Sequence, residues 1–212
     1  MPTPTEILAQ MKRPAQWDGW VPTFSGAGYR PWDDKPGPLS KTDLAYGLSY
    51  TYRYGGQSYP AITVAEHSVL AALIVRLLWP GNQALERAAL LHDAAESVLH
   101  DIQSRLRRRV KVHLDNEVIT WSQSDLRVTS HIAAQFGVTA EDLKAPEVAA
   151  ADILAACFEK RDCPNLWEGD WGLPQIPVVL NGLQMHFWSP EAARARFLAA
   201  GDELGLWDSL TP

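Results

Sequence analysis

Residues 84–99 read Ala-Leu-Glu-Arg-Ala-Ala-Leu-Leu-His-Asp-Ala-Ala-Glu-Ser-Val-Leu, and the fold turns on this run. Leu85, Ala88, Ala89 and Leu99 recur at helical spacing, and every position from 88 to 91 is apolar, as in a buried central helix. Asn82 stands ahead of the run as its expected cap, with a side-chain oxygen able to accept from a free backbone N–H. The same stripe nevertheless carries His92 and Glu96, and Asp93 lies one residue round from it. Burying an unpaired carboxylate costs several kcal/mol or forces it to take up a proton. A helix over 84–99 therefore needs a positive partner for its acidic residues.

Upstream, Thr63-Val-Ala-Glu66 fits a capping box, in which the threonine accepts from a backbone N–H and the glutamate reaches back. The helix it starts is predicted to run to Trp79 and stop at Pro80-Gly81. His67 shares its inner face with Leu70, Ala71, Ile74 and Leu78, at the position where Ile62 would otherwise meet an apolar staple partner. Downstream, Pro146 suits the first turn of a helix ending near Lys160, and residues 149–156 of that helix are apolar apart from Asp152.

These polar exceptions on three apolar helices share one explanation. A divalent cation held by His67, His92, Asp93 and Asp152 removes the penalty on both aspartates. Neutral imidazole and carboxylate suit borderline first-row metals (Zn, Co, Mn or Fe), and such a set leaves positions open for water and substrate.

The rest of the chain supports a single all-α domain over 1–212. Residues 17–60 are dense in Gly, Pro, Trp and Tyr without a helical period, so 1–60 is expected to be an irregular aromatic-rich segment with a short hairpin. The helical core spans 61–160, with two further helices expected between Val110 and Gly137. Within 161–212, residues 162–187 are irregular, and Ser189-Pro190-Glu191 starts a last helix that runs to about Leu204. With 212 residues, 46% hydrophobic, one core is the expected number.

A net charge of −6 argues against a nucleic-acid polymer or an anionic membrane as partner. Cys157 and Cys163 form neither a disulfide framework nor a zinc knuckle, which suits a reducing compartment. Residues 1–15 lack the apolar run of a signal peptide, and 69–79, the most apolar stretch, is too short to span a bilayer and contains Arg76. A soluble cytoplasmic protein is expected.

In chain order, Glu66-His67-Ser68, Leu91-His92-Asp93 and Asp152 resemble the H…HD…D signature of the HD superfamily of metal-dependent phosphohydrolases. The bacterial 5′-deoxynucleotidases and their phage relatives are closer still. His92-Asp-Ala-Ala-Glu96 followed by Asp101-Ile-Gln-Ser is similar to their HDAxE…GDIPS run, and Trp188-Ser-Pro-Glu191 to a late segment of phage-type members. The resemblance implies an HD-domain helical bundle and metal-dependent hydrolysis of a small-molecule nucleotide, a deoxynucleoside 5′-monophosphate or triphosphate. It implies Glu96 as acid/base or water-orienting group beside Asp93, and Asp101 as a contact to the sugar. Homodimerisation is a family expectation.

Residues 48–56, followed by Val64-Ala65-Glu66-His67, look like the segment in which these enzymes place an arginine for the phosphate and an aromatic near the base. Arg53 and Tyr54 match those positions. A guanidinium fork suits a phosphate, and Arg53→Ala is expected to cost turnover with the core untouched. His100 replaces the family's glycine before Asp101, and Gln103 and Arg105 replace common prolines. Arg105, Arg107, Arg108, Arg109 and Lys111 form a basic run, read either as a solvated helix start or as extra phosphate binding that would favour a triphosphate.

Two other functions stay open. A binuclear HD oxygenase or cyclic-dinucleotide phosphodiesterase needs two more histidines between Asp93 and Asp152, where His113 and His131 are available. A non-catalytic HD domain would bind nucleotides without hydrolysing them. Neither a Gly-x-Ser-x-Gly elbow nor a P-loop is present.

Overall fold

The computed structural model of the chain describes residues 3, 5, 6, 19–114, 116–166 and 168–208, so the signal-peptide expectation for 1–15 lies almost wholly outside it. Helices dominate, and the named strands form two-stranded antiparallel sheets, in agreement with an all-α fold. The short hairpin expected near the N-terminus is β1, Val21–Pro22, paired with β2, Gly28–Tyr29.

The centre is built from α2, Val64–Leu78, and α3, Gln83–Leu91, with α8, Pro146–Asp162, packed on both. Their starts are those the sequence marks. Thr63 accepts from the Glu66 N–H at 3.1 Å, Asn82 accepts from Leu85 N–H at 3.2 Å, and Pro146 occupies the first turn of α8. Leu70, Ala71, Ile74, Leu90, Leu91, Ala151, Ala155 and Phe158 are buried between them. The last helix, α9, Pro190–Glu203, is capped by Ser189 and lies against α2 and α1, Lys41–Tyr50.

Four expectations need correction. The first concerns α1, which lies inside the stretch expected to be irregular. Ser40 and Asp43 form a full capping box, and Leu44, Ala45 and Leu48 are buried. The helical stripe is hidden in the sequence because Tyr46 and Tyr50 occupy the opposite side, where Tyr46 stacks between Phe24 and Tyr50.

Second, the capping box at Thr63 is only half present. Glu66 turns away and accepts from the backbone N–H groups of His186, Phe187 and Trp188 at 2.7, 2.9 and 2.9 Å, anchoring the segment before α9. Third, one of the two helices expected after Val110 is a hairpin: β3, Lys111–His113, pairs with β4, Val118–Thr120, before α6, Trp121–Gln135. Val112 is half-buried between exposed Lys111 and His113, and Ile119 is buried between exposed neighbours, a period of two rather than 3.6.

Fourth, the helix expected over 84–99 is interrupted. α3 ends at Leu91, and after a tightened turn a short α4, Glu96–Leu99, resumes. The His92 ring explains the break: its Nδ1–H donates to the Ala89 carbonyl at 2.7 Å, taking an acceptor of the helix ladder. Glu96 then bonds back to Asp93 O at 2.9 Å in a three-residue turn. Two shorter helices, α5, Ser104–Arg107, and α7, Ala140–Leu143, complete the set of named helices. Among the described residues no helix is long and apolar enough to cross a membrane.

Candidate metal centre

His67 points inward from the first turn of α2 and is fully buried, while His92 caps the end of α3 and Asp93 follows it. Their Nε2 atoms are 3.2 Å apart. Asp93 Oδ2 lies 3.3 Å from His92 Nε2 and 3.7 Å from His67 Nε2. From α8, Asp152 Oδ1 reaches within 3.1 Å of His67 Nε2 and 3.7 Å of His92 Nε2. The structure thus brings together all four residues singled out as ligands.

The hydrogen bonds fix what these atoms offer. His67 Nδ1 faces the Glu159 carboxylate at 2.7 Å and His92 Nδ1 faces a carbonyl, so both imidazoles place their proton there and leave Nε2 as a bare lone pair when neutral. With both imidazoles neutral, two lone pairs and two carboxylate oxygens face one another, so positive charge, as a metal ion or as protons on Nε2, has to stand between them. Metal–donor bonds of about 2.0–2.2 Å would put neighbouring donors about 3.0–3.5 Å apart, close to the spacing found. His67, His92 and Asp93 could hold a metal ion; Asp152, its side chain 44% exposed, stands against the two histidines beside that group.

The electrostatics point the same way. Burial opposes a charge on His92, but Asp93 and Asp152 override it and raise its pKa well above the ordinary value. Burial and Arg53 press on His67 in the same sense, and Glu159 and Asp152 overcome them. Burial would raise Asp93 and Asp152, yet the two histidines hold both below the usual carboxylate range. The site favours added positive charge.

Arg53 sits in a single tight turn, Arg53–Gly56, in which Tyr54 has φ 59°. Its Nε is 2.7 Å from Glu159 and its Nη1 3.4 Å from Asp93, with the side chain only 13% exposed. The expectation that Arg53→Ala would leave the core untouched is therefore wrong: it would strip the cation from a fully buried Glu159, a change of the kind that costs about 3–5 kcal/mol. Tyr54 donates its hydroxyl to Glu159 and its backbone N–H to Asp101 at 3.0 Å. Asp101 also pairs with Arg107 at 3.4 Å, so it braces the Arg53 turn as well as facing the cavity. His100 keeps a glycine-like backbone, with φ 62° and ψ 163°, where the resembling enzymes have glycine.

Glu96 is 1% exposed; one oxygen meets Arg107 and the other is buried without a partner among the described residues. Burial first, then Asp93 and Asp101, push its pKa well above the carboxylate range against the pull of Arg107. Next to the centre opens a cavity of about 560 Å³ whose walls include Arg53, Tyr54, Asp93, Asp101, Arg107 and Asp152. Trp171 adds an aromatic wall edge-on to Tyr54 at 5.7 Å.

Of the basic run, Arg105 and Arg107 line this cavity, and Arg107 is occupied by Glu96, Asp101 and Asp125. His113 on β3 and His131 on α6 do not join the metal-suited group. Sequence reasoning missed Glu159. Its signal was a carboxylate seven residues after Asp152, two turns along the same helix face.

No protein-family model matches the chain. YfdR, an uncharacterized protein of Escherichia coli, is 26% identical over 143 residues, 68% of this chain and 71% of its own length. An uncharacterized protein of Rhodobacter capsulatus is 31% identical over 193 residues, covering 85% of this chain and 92% of its own. Likeness at that level along nearly the whole of both sequences makes this chain a member of the family of the Rhodobacter capsulatus protein.

Proposed function

We propose that the chain is an HD-type metal-dependent phosphohydrolase that cleaves the phosphoester of a nucleotide, a deoxynucleoside 5′-monophosphate or triphosphate. The observation that carries this proposal is the convergence of His67 Nε2, His92 Nε2, Asp93 Oδ2 and Asp152 Oδ1, with both imidazole Nδ1 atoms committed elsewhere. These residues would hold Zn, Co, Mn or Fe. A divalent cation there would supply Lewis-acid polarisation of the phosphate and a lowered pKa for water.

The chain's own groups supply the rest. Arg53, immobilised by Glu159, would offer its outer guanidinium N–H groups to the phosphate oxygens. Tyr54 and Trp171 would flank the base with aromatic surface. Asp101 spends one lone pair on each of Tyr54 and Arg107, leaving the others for a sugar hydroxyl. Glu96, held at the end of Arg107, would manage the proton of the attacking water or of the leaving oxygen.

A panel of nucleoside mono- and triphosphates, with metal restored and phosphate, pyrophosphate and triphosphate resolved as products, tests the proposal. Turnover of at least one nucleotide that vanishes in His92→Ala is expected. A metal-replete wild-type chain inert on the whole panel would overturn hydrolysis.

A further inference from the structure

Glu159 makes the most contacts of any carboxylate in the centre without belonging to the donor set. It is fully buried on α8, where water cannot satisfy it. One oxygen lies 2.7 Å from His67 Nδ1 and 2.7 Å from Arg53 Nε, and the other accepts from the Tyr54 hydroxyl. These partners come from different parts of the chain, α2 and the Arg53–Gly56 turn, and serve the two halves of the site.

We propose that Glu159 is a positioning residue that sets the metal-binding half and the phosphate-binding half in register. A carboxylate on Nδ1–H holds His67 in the tautomer that presents Nε2 to a metal and makes that nitrogen a stronger donor. The same oxygen stands 2.7 Å from Arg53 Nε as an ion-pair partner, while Nη1 donates to Asp93 at 3.4 Å and the arginine lines the cavity. Tyr54, in its left-handed backbone conformation, closes the third side and keeps the turn from swinging away. Loss of Glu159 would therefore disturb metal and phosphate binding together, although it touches neither. This inference rests on the phosphohydrolase proposal for its substrate half only.

The test is Glu159→Gln, which keeps the shape but removes the charge and turns one accepting oxygen into a donor, with Tyr54→Phe as a milder companion should the first unfold. Metal affinity is measured by competition with a chelator, KM and kcat at saturating metal, and the His67 ring N–H by nitrogen-15 NMR of labelled, metal-free protein. Metal affinity should fall about 10- to 100-fold, the usual effect of losing such a partner. KM should rise more than kcat falls, and the protected, downfield Nδ1–H signal of wild-type His67 should shift upfield or exchange out. Tyr54→Phe should raise KM with metal affinity kept.

A folded Glu159→Gln chain with wild-type metal affinity and KM overturns the inference. A wild-type chain that binds metal but turns over no nucleotide overturns the phosphohydrolase proposal alone, and the metal affinities then decide the role of Glu159. If the wild type binds no metal either, the NMR signal decides: its loss in Glu159→Gln supports positioning, its persistence contradicts it.

Discussion

Glu96 and Asp125 show how far single residues can be read. Spacing put Glu96 one turn beyond His92 on a continuous helix, whereas it lies past a break and is held by Arg107. It still feels the charge of Asp93 without being one of the donors or lining the cavity. Glu96→Ala should leave metal affinity near wild type and lower kcat by about 10²- to 10⁴-fold, the range of a positioned acid or base. Metal titration and steady-state kinetics on the same preparation check this, and rescue of kcat by excess metal would reassign Glu96 to holding a ligand. Asp125 left no mark in the sequence, since its meaning depends on Arg107 approaching from another element. Burial, more than Asp93, raises it to about 6 against the pull of Arg107. A carboxyl raised on folding stabilises the fold while protonated, and that contribution is lost as pH climbs from its unfolded value of 3.8 to about 6. Asp125→Asn should therefore gain stability over the wild type between pH 4 and pH 7, by on the order of 2–3 kcal/mol. Paired denaturation curves across that range read the difference, and a gap that is flat with pH would contradict the raised pKa.

At the scale of elements, the sequence spoke clearly wherever a cap and an apolar stripe agreed, as at Thr63, Asn82, Pro146 and Ser189. It was silent where tertiary contacts decide. α1 is buried through Leu44, Ala45 and Leu48 but carries tyrosines on its other side, and nothing in Gly47 itself says that a helix will press on it. A Cβ there would stand 2.3 Å from Ser97 O and 2.8 Å from Ser97 Cα, both backbone atoms of α4. Gly47→Ala should thus cost about 1–3 kcal/mol of stability by overpacking. A chemical denaturation midpoint equal to wild type would mean that α1 and α4 are not in this contact. The break after α3 was hidden for a related reason. Nearest-neighbour propensity cannot report that the His92 ring bonds Ala89 O, although that bond both ends the helix and orients the ring. Glu66 likewise looks like half of a capping box until the backbone of 186–188 arrives to claim it.

For the whole molecule, histidines and carboxylates from three helices come to one point, and that much was legible at His67, His92 and Asp93 because buried polar residues on apolar faces demand an explanation, whereas Asp152 has a side chain 44% exposed and did not need the compensation expected for it. Glu159 shares the helix face of Asp152 and was overlooked, but its pairing with Arg53 was not legible, since that depends on which residues of α8 face the Arg53–Gly56 turn. If the centre binds a divalent cation only when folded, the cation should stabilise the chain by mass action, about 2.7 kcal/mol at a hundredfold excess over Kd. The melting temperature should then drop on chelation and recover on adding metal back. The most direct test is metal content per chain by mass spectrometry of the elements, after reconstitution and desalting, in the wild type and in His67→Ala, His92→Ala and Asp93→Ala. One equivalent of a transition metal in the wild type, lost from each variant while its fold is retained, is the predicted result. A wild-type chain that keeps no metal after reconstitution, or variants that keep it undiminished, would contradict a metal centre at these residues.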